Sequence, residues 1–177
     1  MKKAIFKKGQ KTVVPKSKWI PDKLFREIRK SIPIACVDLI VLRVKNKKIE
    51  TLFIKRAIYP ELGKWCLIGG RIIRGESLGD TIRRQVKTEL GVSVKIIKPW
   101  NETFPIMALS DDTSDIQKQF VVLVYPVIIS GGNLKKSGPE FSEAKWFSIK
   151  KLPKILGFAH KKELNSFIKT RLKYNLN

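Results

Sequence analysis

Glu89 sits where an ordinary surface helix has no use for an acid. From Ser77 to Gly91 the chain reads as a helix. Ser77 can cap the unpaired N–H groups of the first turn, Asp80 adds negative charge beside them, and Gly91 supplies the residue that ends the helix. At about 100° per residue, Leu78, Ile82 and Val86 form one apolar stripe, and Glu89 falls about 20° from Ile82 on the same side. Gln85 lies beside it. An ionised carboxylate aimed at a core is costly unless it is paired or binds a cation. Two partners are open to Glu89: an arginine, Arg71 or Arg56, or a bound divalent ion.

Other residues able to do chemistry flank this helix. Gly69-Gly70-Arg71 leads into it as a loop where glycine lets the backbone approach a ligand closely. Lys55-Arg56 closes a strand, and a cation at that end can grip a diphosphate. Asp38 interrupts the apolar run Ile34 to Val44, either to hydrogen-bond a loop or to face a pocket. The loop from Ser137 to Glu143 carries Glu140 and Glu143, and Glu140 can serve a hard cation through its oxygens. Ser110 to Gln117, with Asp111, Asp112 and Asp115, reads as a solvated turn. His160, the only histidine, falls in the C-terminal segment and reads as a surface or packing residue.

Written G-x5-E-x7-R-E-U-x-E-E-x-G-U, with U a bulky aliphatic, the Nudix box aligns without gaps from Gly70 to Val92. Gly70, Glu76, Arg84, Val86, Glu89, Gly91 and Val92 match, while Gln85 and Thr88 replace two of the expected glutamates. On these residues the chain resembles the Nudix hydrolase superfamily. A box keeping only its last glutamate is similar to that of the GDP-mannose mannosyl hydrolase branch. Further matching stretches are Ile34 to Ile40, Lys55-Arg56, Gly63-Lys64-Trp65, Gly69-Gly70-Arg71 and Glu140 through Trp146.

The resemblance implies an α/β fold, the Nudix α/β/α sandwich around a mixed β-sheet, and a Mg²⁺ or Mn²⁺ ion held by the Gly69 carbonyl, Glu89 and Glu140. It places Asp38, Arg56 and Arg71 in the substrate site, the two arginines against the phosphates. Gly70, Glu76, Arg84 and Gly91 become structural residues of the box. It also implies a nucleotide-sugar substrate of the GDP-mannose type and a homodimer. Phe141 stands where that branch carries a histidine base, and phenylalanine cannot take a proton. Glu140 or Glu143 is left to activate water. Ile68 replaces the proline usual before the two glycines.

The elements that must position these residues read as follows. A short helix opens at Trp19-Ile20-Pro21-Asp22, with Leu24, Phe25 and Ile28 on one side, and ends at Pro33. Strands are expected over Ile34 to Val44, Ile49 to Arg56, Trp65 to Ile68, Val92 to Trp100, Thr103 to Leu109 and Gln119 to Ile129, the last broken by Ser130-Gly131-Gly132-Asn133. A further strand resumes at Trp146. His160 to Tyr174 is an amphipathic helix through Leu164, Phe167, Ile168 and Leu172.

The chain has 177 residues, 43% of them hydrophobic, enough for one domain without staples. Residues 1–18 form a basic arm and 19–177 the domain, with its core over about 33–150 and its C-terminal helix over about 160–174. No apolar run reaches the ~20 residues needed to span a bilayer. The N-terminus lacks a signal-peptide pattern, which predicts a cytoplasmic protein. Cys36 and Cys66 make no metal pattern and read as reduced packing residues. The net charge of +22, with 28 lysines against 9 arginines, favours polyanionic partners, without the arginine bias of specific phosphate or base recognition. Two functions remain: a metal-dependent hydrolase of a nucleoside-diphosphate derivative, or a Nudix-fold module binding RNA or another polyanion through weak surface charge.

Overall fold

The computed structural model describes residues 20–97, 106–111 and 119–171. The elements are α1 (Asp22–Ser31), β1 (Ile34–Lys45), β2 (Lys48–Arg56), β3 (Trp65–Cys66), β4 (Ile68–Arg71), α2 (Leu78–Leu90), β5 (Val92–Ile96), β6 (Ile106–Asp111), β7 (Gln119–Gly132), β8 (Phe141–Ser148) and α3 (His160–Arg171). The basic arm, Asp112, Asp115, Leu172 and Tyr174 lie outside the described residues.

The strands form one mixed sheet with β1 at its centre, parallel to β7 and antiparallel to β2 and β4. Near the β1–β2 turn these two strands pair directly, from Leu42 opposite Thr51 to Lys45 opposite Lys48. Further along, β3 pairs with β2 and β4 pairs with β1, so the glycine-bearing segment fills the fork between them. β7 takes β6 and then β5 as successive partners on its other edge, and β8 flanks β2.

Side chains alternate across β1, and that alternation divides the core. Val37, Leu39 and Val41 face one side, where Ile82, Val86 and Leu90 of α2 cover them. Ile40 and Leu42 face the other, packed with Phe53, Val122 and Val124 against Leu164 and Phe167 of α3. Helices therefore lie on both faces of a mixed sheet, the arrangement implied by the box. Asp38 shares the parity of Ile40 and so faces α3.

Several boundaries differ from the sequence reading. Gly69-Gly70-Arg71 is a strand rather than a loop, because β1 pairs it in register: Asp38 opposite Gly69 and Cys36 opposite Arg71. β7 runs through Gly131 and Gly132, since β5 offers Ser93 and Val92 as partners there. β8 starts at Phe141, five residues before the expected Trp146. α1 buries none of its residues fully, and Leu24 is exposed, so the apolar side expected there is not a core face.

Both ends of α2 match the expected capping. Ser77 Oγ accepts from the Asp80 N–H at 3.1 Å and donates to Asp80 Oδ2 at 2.8 Å. Gly91 has φ 74° and its N–H bonds the Lys87 carbonyl. A β-carbon there would be strained and would lie 3.2 Å from Lys135 side-chain carbons. Gly91→Ala should therefore lower stability by about 1–2 kcal/mol, or roughly 2–8 °C in thermal melting. An unchanged melting temperature would show that the left-handed cap carries no constraint.

Candidate active site

A cavity of about 470 Å³ opens where β1, β4, α2 and α3 converge. It gathers Asp38, Arg56, Gly69, Gly70, Arg71, Arg84, Glu89 and Glu140 from separate stretches of the chain. Phe25 and Arg29 of α1, Phe158, His160 and Glu163 also line it.

Beneath the cavity, α2 is clamped to the glycine strand. Arg84 forks onto Glu76, Nε to Oε1 and Nη2 to Oε2, both at 2.8 Å, while Nη2 also donates to the Arg71 carbonyl at 2.9 Å. Thr81 Oγ1 adds a bond to Glu76 Oε2 at 3.1 Å. The Glu76 side chain is almost wholly buried. This bidentate geometry fixes the α2 face against β4. Glu76→Gln leaves Arg84 with a weakened partner in a desolvated place, so stability should drop by about 2–4 kcal/mol. Urea unfolding at constant m-value measures it, and a loss under 0.5 kcal/mol would contradict the clamp.

Glu89 is half-buried and lines the cavity. Among the described residues no arginine forms an ion pair with it. Burial, then the carboxylates of Glu140 and Asp38, push its carboxyl up to about 8, while Arg56 pulls in the opposite direction. Of the two partners open to it in the sequence, the arginines are otherwise engaged. Arg56 donates from Nε to the Pro60 carbonyl at 2.8 Å and packs over Phe158. Arg71 lies 3.8 Å over the Phe25 ring, and burial lowers its guanidinium's proton affinity. Both still line the cavity, where a phosphate can meet them.

Gly69 has Asp38 directly against it: a β-carbon would overlap Asp38 Oδ1 and the Val37 carbonyl. Gln85, standing for a box glutamate, lays its amide on Gly70. Thr88, standing for the other, also lines the cavity. Glu140 is exposed at the cavity mouth, its backbone carbonyl accepting from the Ala57 N–H at 2.9 Å. Glu143 is exposed on β8 opposite Lys55 and does not line the cavity. Phe141 is buried in the core, so its position offers no group to the cavity. Gly91 lies at the end of α2, outside the wall.

His160 takes the packing alternative of the sequence reading and lines the cavity as well. It is buried in the cavity wall rather than at the surface. Nδ1 accepts from the Leu67 N–H at 3.0 Å, and Nε2 lies 3.2 Å from Asp38 Oδ2. Glu163, which sequence reasoning passed over, is 2% exposed beside them. A signal existed: His160, Glu163, Leu164 and Phe167 are spaced i, i+3, i+4, i+7, so the stripe that buries two apolar residues also buries an acid and an imidazole. The two cysteines are free and buried, and burial pushes each thiol up to about 12, which removes them as nucleophiles.

The chain belongs to the Nudix family, residues 34–167 matching the NUDIX domain. It is 30% identical over 137 residues to an ADP-ribose pyrophosphatase of Methanocaldococcus jannaschii, covering 77% of this chain and 74% of that one. It is 28% identical over 95 residues to the nucleoside triphosphatase NudI of Escherichia coli, covering 51% of this chain and 64% of that protein. The NUDIX domain of Shewanella oneidensis NrtR, solved in complex with ADP ribose, has a similar fold, with TM-score 0.62 at 20% identity over 86% of this chain and 94% of that one. None of these names GDP-mannose. No helix among the described residues is long and apolar enough to cross a membrane.

Glu89 makes stability depend on pH. Between its ordinary value of 4.5 and about 8 the folded chain binds more protons than the unfolded chain, so stability falls as pH rises through that window. Glu89→Gln removes this slope. Without divalent cations the variant should match the wild type near pH 5 and melt higher at pH 8.5, by roughly 2–4 °C for each kcal/mol relieved. Identical melting curves at pH 8.5 would contradict the raised carboxyl.

Proposed function

We propose that this chain is a divalent-cation-dependent hydrolase of a nucleoside diphosphate joined to a sugar. The observation that carries this reading is Glu89, a carboxylate facing Glu140 and Asp38 on a cavity whose rim holds Arg56 and Arg71. A carboxyl pushed up to about 8 among other acids, with no ion pair among the described residues, fits a cation ligand. Glu89, Glu140 and the Gly69 carbonyl are assigned to hold Mg²⁺ or Mn²⁺. A bound divalent ion neutralises phosphate charge and makes water a better nucleophile at neutral pH.

The chain's own groups supply the rest. Arg56 and Arg71 bind the diphosphate and meet the negative charge that builds on the departing phosphate, and their stacking on Phe158 and Phe25 keeps them in place without cancelling their charge. The α2 clamp holds Glu89 at a set distance from β4. Glu140, at the mouth, is assigned to take the proton from the incoming water; general-base help is worth ~10²–10⁴-fold.

The substrate class follows from what the relatives are named for and from the box. ADP-ribose and GDP-mannose share a nucleoside, two phosphates and a sugar, and differ in the bond the resembling enzymes break. Purified protein with Mg²⁺ should release product from at least one of them, and Glu89→Gln should lower turnover ~10²-fold or more. Reaction in ¹⁸O-labelled water then assigns the bond: label in phosphate means attack at phosphorus, label in free sugar means attack at carbon. Equal turnover by both proteins would remove Glu89 as a cation ligand, and no turnover of either substrate would remove the hydrolase reading and leave a polyanion-binding module.

A further inference from the structure

The box lost two acids, yet the cavity did not. Gln85 and Thr88 leave Glu89 as the carboxylate that α2 presents to the cavity, while β1 brings Asp38 and α3 brings Glu163. One atom from each of Asp38, His160 and Glu163 lies within 4.8 Å of the others. Glu163 is 2% exposed, lines the cavity, and its Oε2 has no hydrogen-bond partner among the described residues. A buried carboxylate oxygen left in that condition costs stability unless a ligand meets it.

The role of His160 follows from its hydrogen bonds. The Leu67 N–H is an obligatory donor, so Nδ1 must be the acceptor and the ring proton sits on Nε2. Nε2 then donates to Asp38 Oδ2. A nitrogen that donates has no lone pair for a metal, so the imidazole orients Asp38 rather than joining it as a ligand.

We propose that Asp38 and Glu163 form a second divalent-cation site in this cavity, oriented by His160 and separate from the one assigned to Glu89. Two carboxylates suit Mg²⁺ or Mn²⁺, which keep several waters and complete their shell with substrate phosphate. Arg56 and Arg71 line the same cavity and would hold that phosphate. The site stands on its own residues and does not require the centre assigned to Glu89.

The test is Mn²⁺ binding to the full chain without nucleotide, followed by EPR of free ion, with wild type, Glu89→Gln, Glu163→Gln and Asp38→Asn. Circular dichroism melts establish that each variant is folded. The wild type should bind two ions; Glu163→Gln and Asp38→Asn should each lose one and retain the ion that Glu89→Gln removes. Folded Glu163→Gln and Asp38→Asn with wild-type stoichiometry and affinity would overturn the second site while leaving the Glu89 centre intact. Loss only in Glu89→Gln would do the same. His160→Gln should weaken the second ion ~10–100-fold. Pulsed EPR should show no nitrogen bound directly to Mn²⁺, and a coordinating nitrogen would overturn the role given to His160.

Discussion

Carboxylates brought into one partly dry cavity, with no arginine or lysine ion pair to Glu89 or Glu163 among the described residues, are the constraint on which the rest of this structure turns. Each such group, left ionised, is disfavoured by desolvation and by its neighbours, and both effects act on Glu89 and Glu163 in the same direction. The arginines nearby do not cancel them. Arg84 is spent on Glu76, and Arg56 and Arg71 rest on aromatic rings. The fold keeps positive and negative groups on one wall, the separation on which the proposed cation and phosphate roles rest.

Maintaining that separation depends on ordinary elements. β1 parity sends Asp38 toward α3 while its neighbours Val37 and Leu39 pack under α2. The fork between β1 and β2 admits the glycine strand, and only a residue without a side chain fits between Asp38 and the Val37 carbonyl. Arg84, held in place by Glu76, ties α2 to that strand through the Arg71 carbonyl. Around this acidic centre the chain carries +22, which draws a polyanionic nucleotide from a distance while the acids act only at short range.

Much of this was legible in the chain. Ser77 and Gly91 marked the ends of α2, the spacing of Ile82, Val86 and Glu89 marked its inward face, and the β-branched run around Asp38 marked the central strand. These signals are local, set by backbone capping and periodicity. What escaped was long-range. The pairing of Gly69 to Arg71 with β1 depends on a fork that no short window shows. Glu143 looked as useful as Glu140 until strand pairing turned it outward. His160 and Glu163 were hidden by the habit of assigning polar residues on an amphipathic helix to solvent; their spacing with Leu164 and Phe167 placed them inside, but the partner that makes this tolerable, Asp38, lies 122 residues away.

The most direct measurement is a carboxyl titration of Glu89 itself, by ¹³C NMR of the selectively labelled side chain with and without Mg²⁺. In metal-free buffer the midpoint should lie near 8, and saturating Mg²⁺ should bring it below the ordinary 4.5. A midpoint near 4.5 in metal-free buffer, or one near 8 that Mg²⁺ leaves in place, would contradict the assignment of Glu89 as a cation ligand.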